Sequence, residues 1–140
     1  MEQFKLDEQL VKGSFILGEL DTNLLLLMNN KVAPWFILVP QVAGVTELYE
    51  LDTDTQLSLL NEINQLSRFV TEKYTVDKLN VAAIGNIVKQ LHIHVVARTE
   101  KDNCWPGVVW GTDFDETYTE EEVENLINLL CDKLPGFSRT

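Results

Sequence analysis

With 140 residues, 45% of them hydrophobic, the chain suffices for one domain spanning 1–140, since a domain of about 150 residues buries roughly 68–70% of its unfolded surface. Two cysteines, Cys104 and Cys131, are too few for a disulfide scaffold, no basic-then-apolar leader opens the chain, and apolar runs such as Leu24 to Met28 are far short of the ~20 residues of a membrane helix; a reduced, cytoplasmic protein is expected. A net charge of −11, with seven acids between Asp113 and Glu124, argues against nucleic acid and anionic membranes as partners, but leaves small anionic ligands open.

Residues 4–12 carry a helical pattern in which Phe4, Leu6, Leu10 and Val11 are available for burial. Three apolar runs follow, Ser14 to Leu20, Thr22 to Asn29 and Trp35 to Pro40, separated by the turn-forming Asp21-Thr22-Asn23 and Asn29-Asn30-Lys31; these read as a strand meander. Residues 41–51, with a bend at Gly44, form a loop leading into a helix. Thr53-x-x-Gln56 has capping-box chemistry, and Leu59, Ile63, Leu66, Val70 and Tyr74 recur at helical spacing, predicting a helix over about 54–74. Two strands, Lys78 to Ile84 and Lys89 to Arg98, are joined by Gly85-Asn86. After irregular chain through Cys104-Trp105-Pro106-Gly107 and Trp110-Gly111, Thr119 pairs with Glu122 to open a second helix over about 120–134, with Val123, Leu126, Ile127, Leu130 and Leu134 as its buried stripe. The order predicts an α+β domain whose mainly antiparallel sheet of about five strands is covered on one face by the 54–74 helix, the other face being left to a ligand or partner.

Both histidines lie in Gln90-Leu91-His92-Ile93-His94, and residues two apart on a strand share a face, so Gln90, His92 and His94 are expected to project together. Three readings are open. The imidazoles are sheet residues satisfied by backbone carbonyls; or they ligate zinc or iron with recruited ligands such as Cys104 and Asp102; or one is a nucleophile that attacks phosphorus while its other nitrogen is held by an acceptor.

The stretch Gly85-Asn86-Ile87-Val88-Lys89-Gln90-Leu91-His92-Ile93-His94-Val95-Val96-Ala97-Arg98 resembles the signature of the histidine triad (HIT) superfamily, in which three histidines alternate with apolar residues. Leu27-Met28-Asn29 and Ala33-Pro34-Trp35-Phe36-Ile37-Leu38-Val39-Pro40 resemble its second and third strands, so the likeness covers about residues 14–98, with the loop and helix of 99–140 beyond it. The resemblance implies a HIT-like fold and a nucleotide phosphohydrolase or nucleotidyl transferase. Such an enzyme acts on a nucleotide or dinucleotide through a nucleotidyl-histidine, with no cofactor or metal at the nucleophile. It also implies a homodimer.

Carried over, His92 is the nucleophile, and His94 binds phosphate and orients the site. Gly85 and Asn86 form the phosphate-contacting turn, and Asn29 holds ribose hydroxyls once a one-residue gap is allowed, an ordinary turn asparagine being its other reading. Arg98 either steers the anion or pairs with surface acids. Cys104, Trp105 and Trp110 line a base pocket or cover a sheet edge or subunit contact. Two positions depart from the pattern: Gln90 stands at the first triad histidine, where its amide is expected to join His94 and Asn86 in stabilising phosphate oxygens, and Phe36 where many members carry a histidine on the preceding strand. If those histidines supply a proton, rate falls by about 10²–10⁴, and the alternative is a nucleotide-binding protein with little turnover.

Overall fold

The apolar runs between Ser14 and Pro40 form the expected meander in the computed structural model, which describes residues 2–140, Met1 lying outside them. Strands β1 (Ser14–Leu20) and β2 (Asn23–Met28) meet at a two-residue turn, where Leu20 faces Asn23. Asp21 takes φ 49 there, a left-handed conformation that a short polar side chain tolerates. Strand β3 (Trp35–Pro40) continues the meander, and β4 (Lys78–Ala82) and β5 (Ile93–Arg98) complete the part foreseen. A sixth strand, β6 (Phe137–Arg139), pairs with β1. Three residues leave no alternation to read, and β6 exists because β1 offers a free edge. The sheet runs β4-β5-β3-β2-β1-β6, with every neighbouring pair antiparallel.

Helix α1 (Glu8–Gly13) is shorter than the 4–12 pattern, because the Asp7 side chain caps it by accepting from the Gln9 amide. Helix α2 (Thr53–Lys73) is capped one residue earlier than expected. The Asp52 carboxylate accepts from the Thr55 amide, while Gln56 donates to the Leu51 carbonyl. Helix α3 (Glu120–Lys133) opens with the Thr119–Glu122 capping box as read from the sequence. None of these helices is long and apolar enough to cross a membrane.

Alternation along the strands splits the core in two. Leu25, Leu27, Phe36, Leu38, Ile93 and Val95 face α2 and α3, meeting Leu59, Leu66, Phe69 and Val70 of the one and Leu126 and Leu130 of the other. Leu24, Leu26, Trp35, Ile37, Val39 and Val96 face the opposite way. That second face was expected to be open. It is covered by Phe4, Leu6 and Leu10 from the N-terminal segment and by Val109, Trp110 and Phe114.

What fixes the second cover is Arg98, the last residue of β5 and only 2% exposed. Its guanidinium donates to both oxygens of Asp102 (2.8 and 3.0 Å), to Asn80 Oδ1 (2.9 Å) and to the Gly107 carbonyl (2.7 Å). Burial alone would raise the Asp102 carboxyl, but hydrogen bonds from Arg98 and the Thr99 amide hold it below the usual carboxylate range. Arg98 is therefore neither an anion-steering group nor the partner of a surface acid: its donors are spent inside the fold, binding the loop after β5 to the sheet. Removing one member of a buried ion pair costs about 3–5 kcal/mol because the other stays charged and unpaired. Urea unfolding should show a loss of that size for Arg98→Ala, with much of it recovered in Arg98→Met/Asp102→Leu; a loss under about 1 kcal/mol would show the loop is held by other contacts.

Candidate active site

β5 has sheet neighbours on both sides, and His94 sits opposite Ile37 on β3 and Ala82 on β4. Pairing with β4 stops there, because β4 ends at Ala82. Residues 83–92 are consequently irregular, and β5 begins at Ile93 rather than at Lys89. The returning chain packs tightly at Gly85, where an added Cβ would lie 2.8 Å from the Val88 carbonyl oxygen. The 41–51 loop closes over this bend and is fastened by the Leu91 amide, which donates to the Val45 carbonyl at 3.0 Å. Between them lies a cavity of about 350 Å³ lined by Thr46, Glu47, Ile84, Gly85, Asn86, Lys89, Gln90 and His92, among others. Its size is within the range of small-molecule sites.

His92 and His94 are 4% and 3% exposed, with ring centroids 4.7 Å apart and planes at 66°. His92 Nδ1 lies 2.7 Å from the Gln90 backbone carbonyl. A carbonyl only accepts, so Nδ1 carries a proton, and in the neutral ring Nε2 is then the nitrogen with the lone pair. His94 meets a donor instead: the Trp35 indole N–H reaches His94 Nδ1 at 2.9 Å. Trp110 stands edge-on to both, 5.2 Å from His94 and 5.8 Å from Trp35 between ring centroids. His94 Nε2 is buried with no hydrogen-bond partner among the described residues.

Only part of the expected constellation comes together. Gly85, Asn86 and His92 share the cavity wall, with His94 behind His92. Gln90 does not project beside the histidines as a strand residue: its side-chain amide donates to the Lys5 carbonyl at 2.8 Å and accepts from the Asp7 amide at 2.9 Å. It anchors the N-terminal segment and serves the site through its main chain. Asn29 accepts from the Tyr118 amide at 2.9 Å, tying the β2–β3 turn to the segment before α3, and is absent from the cavity wall.

Phe36 lies in the core on the α2 side, and it is Trp35 that shares the histidine face. Counting back by twos from Ile37 and Val39 identifies Trp35, a signal present in the sequence. Lys89, Thr46 and Glu47 are further wall residues that the sequence reading passed over. Trp110 packs against His94, while Trp105 lies against Arg98, 5.7 Å from its guanidinium carbon; neither lines the cavity. Burial pushes the Cys104 thiol up, against a role as a nucleophile. Among the described residues no three His, Cys, Asp or Glu side chains gather as a metal site would require.

Burial first, and then the neighbouring His92, push His94 down to about 4, against a smaller opposing effect of the Ile84 backbone. Between pH 6.5 and about 4 the unfolded chain therefore binds a proton at His94 that the folded chain refuses, so stability is present above this window and is lost as pH falls through it. Urea unfolding from pH 7 to 4 should show a decline of up to about 3 kcal/mol from this group, and His94→Gln should show a shallower decline. Parallel profiles for the two proteins would remove His94 as its source.

A family model for the HIT domain matches residues 9–101. A histidine triad protein from Marinobacter aquaeolei VT8 is 42% identical, covering 98% of this chain and 100% of its own with a TM-score of 0.91. One from Sinorhizobium meliloti 1021 is 40% identical, covering 94% and 97% with a TM-score of 0.89. A hypothetical histidine triad nucleotide-binding protein from Sulfolobus tokodaii strain7, 18% identical over 86% of this chain and 83% of its own, shares the fold with a TM-score of 0.65. No curated protein matches the chain. A family model that spans both histidines and strands β1 to β5, together with relatives alike over nearly the whole length, means that the chain belongs to the histidine triad (HIT) family.

Proposed function

We propose that the chain is a nucleotide phosphohydrolase or nucleotidyl transferase in which neutral His92 attacks the α-phosphorus of a nucleoside phosphoanhydride or phosphoramidate, such as a dinucleoside polyphosphate. The observation that carries this reading is the 2.7 Å contact of His92 Nδ1 with the Gln90 carbonyl at the cavity wall. It leaves Nε2 as a free electron pair on a ring that is held in one orientation. Attack forms an Nε2–P bond and breaks the bond from phosphorus to the leaving group. The ring then carries positive charge, which the Gln90 carbonyl dipole stabilises. Water displaces the histidine from phosphorus in the second step, regenerating neutral His92.

Lys89 and Glu47 are the charged side chains on the wall, and Lys89 with the Asn86 amide supplies the donors for phosphate oxygens. The second reading, binding with little turnover, is favoured by one observation: the side chain at the first triad position is occupied with Lys5 and Asp7. Assembly as a homodimer belongs to the same proposal. β4 is a sheet edge with Val81 47% exposed, and a second copy continuing the sheet there would double the mass seen by light scattering.

Diadenosine polyphosphates, nucleoside phosphoramidates and nucleotide sugars are the substrates to assay. His92→Ala should lower turnover by more than about 10³-fold while nucleotide binding by calorimetry persists; unchanged turnover would remove His92 as nucleophile. Binding by the wild type without product would favour the second reading. Lys89→Gln should weaken nucleotide binding by up to about fivefold, as expected for an exposed charge pair, and should flatten its dependence on salt. Equal affinity at low salt would place the phosphates elsewhere.

A further inference from the structure

We propose that Trp35 is a positioning residue of this site: its indole N–H occupies His94 Nδ1, so that at neutral pH His94 works as an uncharged hydrogen-bond donor through Nε2 rather than as a cation beside His92. The first support is the nature of the contact. An indole nitrogen is a donor only, so the His94 nitrogen facing it at 2.9 Å must be a bare acceptor. A neutral imidazole holds one proton, which is then on Nε2. Protonating Nδ1 would set two N–H groups against each other and break the bond.

The second support is the other end of the ring. Nε2 is buried without a hydrogen-bond partner, in a residue only 3% exposed. The Ile84 backbone, part of the cavity wall, is close enough to the ring to act on its titration but does not complete a hydrogen bond to Nε2. A buried donor left unpaired is costly, and a phosphate oxygen entering from the cavity is the kind of acceptor that would relieve it. The third support is the company the ring keeps. Trp35 from β3, Trp110 from the loop after β5 and the Ile84 backbone are uncharged, and His92 is the one titratable group acting on it.

The consequence rests on the reaction proposed above. Attack on phosphorus gives the His92 ring a positive charge, and a cationic ring 4.7 Å away would oppose it. A tryptophan donor on the facing strand prevents that by chemistry rather than by distance. Phe36, its neighbour in sequence, has no part in this because it points to the other core.

The wild-type protein, labelled with ¹⁵N in histidine and tryptophan, provides the direct test by NMR at pH 7. Expected are a protonated Nε2 and a bare Nδ1 for His94, with a coupling across the hydrogen bond between Trp35 Nε1 and His94 Nδ1. A protonated His94 Nδ1 would overturn the proposal, and this measurement needs no variant to fold. In Trp35→Phe, which keeps an aromatic ring but removes the donor, His94 should take up its proton at least about one pH unit higher. The acid limb of kcat should move to higher pH with it, a shift that a merely structural role of Trp35 would not produce. An unchanged His94 titration would also overturn the proposal. If no nucleotide is turned over by the wild type, the enzymatic reading fails, yet the ring measurements still decide what Trp35 does.

Discussion

β5 is hydrogen-bonded on both sides, to β3 and to β4, and is buried along its whole length. A strand so placed normally carries apolar residues on both faces, and a polar group on it must be satisfied locally. This constraint shapes everything around the histidines. His94 lies inside the paired region, where the β3 backbone is already committed to the sheet, so its partner has to be a side chain from the neighbouring strand, and Trp35 supplies it. His92 lies one residue before the strand, where pairing has ended and a main-chain carbonyl is free to turn toward its ring. The same ending of the ladder lets residues 83–92 swing away and open the cavity. Site and cavity are two results of β4 being short.

The two imidazoles are consequently set in opposite senses. One is given an acceptor at Nδ1 and the other a donor at the same atom. Nothing in the rings distinguishes them, so the difference lies wholly in what each nitrogen meets, and that is decided by which side of the end of pairing each residue occupies. A cluster of two rings with centroids 4.7 Å apart thus presents two chemically different imidazoles, one held by a main-chain carbonyl and the other by an indole N–H.

Much of this was legible in the sequence wherever a local signal coincides with the final contact. The Thr119–Glu122 capping box is such a case, because both partners lie within one turn. The α2 cap was misplaced by one residue because Asp52 and Thr53 are both competent caps, and packing chooses between them. Period-two counting along the histidine strand brought His92 and His94 together, in accord with their 4.7 Å ring separation. It failed at Gln90, where it assumed a strand that the early end of β4 does not support, and it was not extended to β3, where counting back from Ile37 puts Trp35 rather than Phe36 on the histidine face. Arg98 was misread for a different reason. Its partners Asn80, Asp102 and Gly107 come from three segments, and no local pattern tells a solvated strand-end arginine from one that ties a loop to a sheet.

The two departures from the family pattern differ in kind once their geometry is known. At position 90 the atom that orients His92 is the backbone carbonyl, which every residue carries, so a side chain there is free to take other work. Gln90 has taken it, holding the Lys5–Asp7 segment that covers the second face. At the β3 position the atom that meets His94 Nδ1 belongs to a side chain, the Trp35 indole N–H, and a residue without an N–H or O–H donor there would leave that contact unmade. Substitution is therefore permissive at the first position and restrictive at the second. With Gln90 at the first position the His92 ring still has its Nδ1 held, because the atom that holds it is a main-chain carbonyl rather than an imidazole.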